Sequence, residues 1–156
     1  MPVIEPSQYS TGPGRDVIEE IAFAEVGGAH TYTGTISVPI GSTVINVVVR
    51  NTALWTNGTS ASLVVGDHDD ANGYIEATDL KAAPLADTNG AGAGLSTLLS
   101  LGASAGAYKG GAGKYCAARK TITATVTTGA GAQTTGRTIV SVFYSFPATA
   151  QVPTVS

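Results

Sequence analysis

The stretch Thr31 to Arg50 constrains this chain more than any other, because its side-chain pattern fits extended backbone and resists a helix. Thr31-Tyr32-Thr33-Gly34-Thr35-Ile36-Ser37-Val38 alternates, with Tyr32, Ile36 and Val38 on one face and threonines and a serine on the other. A period of two is the signature of a strand buried on one side. Pro39-Ile40-Gly41-Ser42 predicts a turn. Then Val44-Ile45-Asn46-Val47-Val48-Val49 follows. Such β-branched side chains are stiff at χ1 and pack well on a pleated surface. A nearly continuous run of them predicts a strand covered on both faces.

The rest of the chain reads the same way. Arg15 to Val26 could be helix or strand, but Ile21-Ala22-Phe23-Ala24-Glu25-Val26 running into Gly27-Gly28 favours a strand and a turn. Ala61 to Val65 predicts a short strand, Asp67 to Asn72 a polar turn, and Gly73-Tyr74-Ile75 a return to extended chain. Glu76 to Ala82 has room for one helical turn with Leu80 inward. Residues 83–113 are rich in Gly and Ala, with Leu95, Leu98, Leu99, Leu101 and Tyr108 as anchors. They predict a loop or arm excursion, or short strands within it. Thr121 to Thr127 and Thr138 to Phe146, joined through Gly129-Ala130-Gly131, read as an antiparallel hairpin. Short strands with turn signals every ~8–12 residues give an all-β fold, a β-sandwich or jelly-roll-like domain over residues 15–146. Residues 1–14, with Pro2, Pro6 and Pro13, predict an extended N-terminal arm, and residues 147–156 a similar C-terminal tail.

Charge then narrows the function. The 156 residues are enough for one domain with its own core. Only 12% of them are charged, about half the usual ~25%. Surface that needs so little charge is either covered by other copies or a larger assembly, or solubilised by Thr, Ser and Asn. The four lysines, Lys81, Lys109, Lys114 and Lys120, fall outside the clear strands, so the sheet edges lack the usual lysine guard. Covering by the arms or by sister subunits is the expectation. A net charge of −3, with Arg119-Lys120 as the one adjacent basic pair, offers no stripe for nucleic acid. No apolar stretch approaches the ~20 residues of a spanning helix, and Met1 to Glu5 lacks the charged start and apolar run of a signal peptide, so no membrane partner is expected. The single cysteine, Cys116, excludes an internal disulfide framework and fits a reducing cytoplasm. Asn57-Gly58-Thr59 matches a glycosylation pattern but reads as a turn.

Few constellations could carry chemistry. Asp67-His68-Asp69-Asp70-Ala71-Asn72-Gly73 begins like a calcium loop. It then places Ala71 fifth, glycine seventh and Thr78 twelfth, so a turn whose Asp and Asn side chains bond their own backbone is expected instead. Gly110-Gly111-Ala112-Gly113-Lys114-Tyr115 has Tyr108 where a phosphate loop needs its first glycine, and Tyr115 where it needs Ser or Thr. His30 and His68 lie in no catalytic motif, His30 reading as an exposed loop residue and Cys116 as a small packed side chain. Trp55, the one tryptophan, follows the strongest strand and predicts a core or inter-subunit anchor rather than a sugar-stacking platform. No catalytic, cofactor-binding or metal-ligating residue is assigned, and no cofactor is expected.

With those residues in view, Ser37 to Val49 is similar to a strand–turn–strand element of phage and prophage structural proteins. Ala53-Leu54-Trp55, Ala61 to Asp70, Gly73-Tyr74-Ile75, Asp79-Leu80-Lys81-Ala82 and Thr121 to Val126 extend the resemblance over roughly residues 15 to 145, with 83–113 poorly covered. The chain thus resembles the tailed-bacteriophage capsid decoration, or cement, proteins. The resemblance implies a non-enzymatic virion component bound to the major capsid protein at the capsid surface and made in the host bacterial cytoplasm. A homotrimer suits a quasi-threefold capsid position. A tail-fibre or receptor-binding module stacking host glycans on Trp55, Tyr74 or Tyr108 is the alternative.

Overall fold

A computed structural model describes residues 16–56, 59–81, 98–99, 108, 114–132 and 134–145. The expected arms, 1–14 and 147–156, lie outside the described residues, as do most of 83–113 and Asn57-Gly58. Nine strands make up the described chain: β1 (Asp16–Ala24), β2 (Thr31–Val38), β3 (Thr43–Ala53), β4 (Ala61–Gly66), β5 (Ile75–Asp79), β6 (Leu98–Leu99), β7 (Lys114–Tyr115), β8 (Lys120–Thr128) and β9 (Arg137–Ser145). The described residues contain no helix.

The strands form two antiparallel sheets. Sheet I has the order β1-β9-β3-β6, with β7 also on β3, and sheet II the order β2-β8-β4-β5. Four pairings are those of a long ribbon folded on itself: β1 with β9, β2 with β8, β3 with β6 and β7, and β4 with β5. Two more, β9 with β3 and β8 with β4, stitch the pairs into sheets. Successive strands therefore cross between sheets, which is the jelly-roll arrangement of a two-sheet sandwich.

Alternation in each strand fills the space between the sheets. Val44, Val47 and Val49 of β3, Val140 and Val142 of β9, Leu63 and Val65 of β4, and Ile122 and Val126 of β8 are wholly buried in one cluster. Trp55, 1% exposed, joins that core, so the anchor reading of Trp55 holds. Cys116 is buried there as a free thiol, and burial pushes its pKa up.

The structure departs from the sequence expectations at several elements. Thr121–Thr127 and Thr138–Phe146 are not a hairpin: β8 pairs with β2 and β4, and β9 with β1 and β3, in the opposite sheet. The turn at Pro39–Ser42 likewise carries the chain from sheet II to sheet I, with Gly41 at φ 83°. Residues 75–79 form a strand rather than a helical turn, because they complete the edge of sheet II against β4; Leu80 is nonetheless buried as expected. Lys114 lies in β7 and Lys120 begins β8, so these two lysines are in strands after all.

Candidate functional site

Side chains with chemistry gather first around the loop after β4. Asp67 is 4% exposed, and its carboxylate is filled by neighbours. Oδ1 accepts the N–H groups of Asp69 at 2.9 Å and Asp70 at 3.2 Å, and the hydroxyl of Tyr108 at 2.9 Å. Oδ2 accepts the hydroxyl of the buried Tyr74 at 3.4 Å. The turn reading of this segment is right, since Asp70 Oδ1 also accepts the N–H of Asn72 at 3.2 Å. What the sequence could not convey is that Asp67 joins a hairpin loop to Tyr108, a residue 41 positions away. Gly73 lies directly under the Tyr108 ring, where any Cβ would collide, so a glycine is needed there. Tyr108 meets Tyr74 edge-on with centroids 4.9 Å apart, and the Lys114 ammonium sits 3.9 Å over its ring. Burial, with Asp67 alongside, pushes both phenols well above their ordinary range. On the rim, Asp69 pairs with Lys120, whose hydrogen bond and charge lower the Asp69 pKa. Among the described residues no three His, Cys, Asp or Glu side chains come together to hold a metal ion.

A second polar cluster closes the opposite end of the sandwich. Glu25 is buried, and its Oε2 accepts the N–H groups of Gly136 at 2.8 Å and Thr56 at 3.2 Å. The Trp55 indole N–H donates to Thr138 Oγ1 at 2.7 Å, and Thr138 donates in turn to Asn51 Oδ1. Asn51 donates to the Leu80 carbonyl at 3.3 Å. These bonds tie together the ends of β1, β3, β5 and β9. His30 is exposed, as expected, with Nε2 2.9 Å from the Gly27 carbonyl and its ring against Tyr32. His68 is exposed and lies beside the Asp67 turn.

The two outer faces of the sandwich differ sharply in chemistry. On sheet II the register sets Thr31 opposite Thr127, Thr33 opposite Thr125, Thr35 opposite Thr123 and Ser37 opposite Thr121. This is an uncharged lattice of hydroxyls, able to bond water without a single ion. It accounts for part of the chain's low charge without any partner.

Sheet I turns a mixed, more apolar face outward. The row Ile18–Phe143–Asn46 crosses its three long strands, with Ile45 beside it at a β-bulge. Ile18 is 50% and Ile45 44% exposed. Tyr115, 60% exposed, is the cross-strand partner of Thr43 one row further on. The Pro39–Ser42 corner with its exposed Ile40 is bound to that end by hydrogen bonds between Gly41 and Cys116 and between Cys116 and Ser42, both 2.8 Å. Four of the five exposed large apolar side chains thus share one end of sheet I. Asp16 and Ser145, where β1 begins and β9 ends, are Cα partners at that same end. The doubly apolar run Val44–Val49 in the sequence signalled this face.

Comparison with known proteins gives a likeness of structure. No protein-family model matches the chain, and no curated protein matches it. Among solved structures, the chain is similar to one in the cyanophage Pam1 capsid asymmetric unit. The likeness has a TM-score of 0.57 and 22% sequence identity, and it covers 94% of this chain and 100% of that one. A chain in the acidic stable capsid structure of the Helicobacter pylori bacteriophage KHP30 matches with a TM-score of 0.47 and 16% identity, over 83% of this chain and 94% of that one. Both neighbours come from phage capsid structures, and at 22% identity the first likeness establishes a common fold.

Proposed function

We propose that this chain is a non-enzymatic structural protein of a phage virion, a decoration (cement) protein that binds the outside of the capsid shell and stabilises contacts between capsomers. The observation that carries this reading is the end-to-end likeness to a chain of a phage capsid asymmetric unit. That chain is matched along its whole length, so a protein of this size and fold occurs as one component of such an assembly. The chemistry of the two faces agrees with it. A hydroxyl face stays in water without charge, while an apolar face at one end gives a surface to dock.

In this reading the partners are the major capsid protein and sister copies in a homotrimer. Residues 1–14 and 147–156 act as arms that reach across capsomer seams, and the protein resides on the capsid surface after synthesis in the host cytoplasm. A protein bridging two shell subunits adds contacts that are lost only when both sides release, which is how modest individual contacts stiffen a shell. Extended arms add strand-type backbone hydrogen bonds to a partner. A glycan-binding tail module fits less well. Trp55 and Tyr74 lie in the core, and the Tyr108 ring is packed against Tyr74 with Lys114 over it.

The direct test is the copy number of this protein relative to the major shell protein in purified virions, by quantitative mass spectrometry. Hundreds of copies in a simple ratio are expected. A handful would move the protein to the tail, and none would end the virion reading.

A further inference from the structure

Sheet I carries on its outer face a pattern that goes beyond apolar exposure. Its two sides bear opposite charge. Along β1, Asp16 and Glu20 point outward, since Val17 and Phe23 fill the core between and beyond them. Along β3, on the other side of β9, Arg50 points outward between the inward Val49 and Asn51. The register sets Glu20, Ser141 and Val48 in one row, and Ala22, Ile139 and Arg50 in the next. The acidic and basic sides therefore flank the apolar row of Ile18, Phe143 and Ile45 at nearly the same height along the strands.

Arg50 is also incomplete. Its Nε is shut off from solvent and has no hydrogen-bond partner, one of two such side-chain atoms among the described residues, with Ser42 Oγ. A buried guanidinium nitrogen without an acceptor is costly, and a carboxylate is the group that best matches the guanidinium fork. The β1 edge adds to the same side. It is nine residues long, pairs with β9 without a register break, and carries neither lysine nor proline to keep another chain away.

We propose that the outer face of sheet I is the contact between copies of this chain in a closed cyclic oligomer. The acidic β1 side of each copy lies against the Arg50 side of the next. Charge complementarity selects a second copy as the occupant. Rotation about an axis running along the strands brings the left side of one face to the right side of its neighbour, and every copy uses both. Glu20 and Arg50 then face each other across the seam, offset by one row, roughly 7 Å, which an arginine side chain spans. Ile18, Ile45 and Phe143 meet their counterparts nearer the axis. Such a head-to-tail contact closes when the rotation closes, as in a ring of three. This deepens the decoration reading by naming the surface through which its copies assemble.

The test is sedimentation velocity on the full chain, from micromolar to tenths of millimolar concentration, with circular dichroism to verify folding. The wild type is expected to be oligomeric. Arg50→Glu and Glu20→Arg alone are each expected to weaken association at least about tenfold, and the double reversal to restore it to within a few-fold, the result of a direct charge pair. Ile18→Ser, at a half-exposed position, should weaken association while the melting temperature of the monomer stays unchanged. A wild type that remains monomeric throughout overturns the proposal. So does an oligomer indifferent to all three single changes, or a double reversal no better than the singles. A high copy number on virions together with a monomer in solution would overturn this contact and leave the decoration reading intact.

Discussion

Asp67 shows how one side chain can be legible in kind and hidden in consequence. Its place in Asp67-His68-Asp69-Asp70 announces a turn, and the turn is there. Its burial and its two tyrosine donors come from folding, because Tyr108 is distant in sequence. An Asp67→Asn change keeps the shape but replaces an all-acceptor carboxylate with an amide that must turn a donor towards one of its neighbours. It is expected to destabilise the fold by about 1–3 kcal/mol, read from chemical denaturation. With Tyr108→Phe added, the two losses should sum to less than additivity, since they share one bond. Full additivity would mean that the Tyr108–Asp67 contact carries no stability.

At the scale of elements, the edge strands β1 and β2 lie against each other in different sheets without ladder bonds. Gly34 allows this approach, as a Cβ there would run into the Ile21 side chain. Gly34→Val is therefore expected to cost about 1–3 kcal/mol through overpacking, despite valine's preference for strands. Ile21→Ala in the same chain should recover part of the loss. If Gly34→Val raises the denaturation midpoint, strand propensity outweighs the contact and the close approach is unimportant. The same scale explains the misassigned hairpin. β8 and β9 have the right alternation for partners, but the connection between them spans residues 129–136, longer than the usual 2–5-residue hairpin loop. That length lets the chain cross from one sheet to the other.

The molecule as a whole carries a signature in alkali. Tyr74, Tyr108 and Tyr144 all have phenols raised above the ordinary value of 10.0, by burial first and by the neighbouring Asp67 or Glu19 carboxylates next. A group whose folded pKa is raised contributes stability that is intact below the unfolded pKa and lost as pH climbs through the folded one. Above pH 10 the unfolded chain releases these protons while the folded chain keeps them, so stability must fall with rising pH. The melting temperature should fall above pH 10 more steeply in the wild type than in Tyr74→Phe, which removes one of the three. Equal slopes for the two would show that Tyr74 ionises as freely in the folded chain as in the unfolded one. Acid acts on a different group. The lowered Asp69 pKa means that its pairing with Lys120 holds at neutral pH and is lost as pH falls through a value below 3.8.

The sequence by itself determined that this chain is built of strands, which residues of Thr31–Val38, Ala61–Val65 and Thr121–Val126 face inward, and that Trp55 and Leu80 are core. Those properties follow from side-chain period and size, which act locally. It also marked Val44–Val49 as apolar on both sides. Only the tertiary structure decided which strand lies beside which, because alternation is the same for every partner in either sheet. From that pairing alone came the threonine lattice on one outer face and the opposed charges of Glu20 and Arg50 on the other. It also set Tyr108 over Gly73 and the Asp67 loop, a contact between residues that no local rule connects.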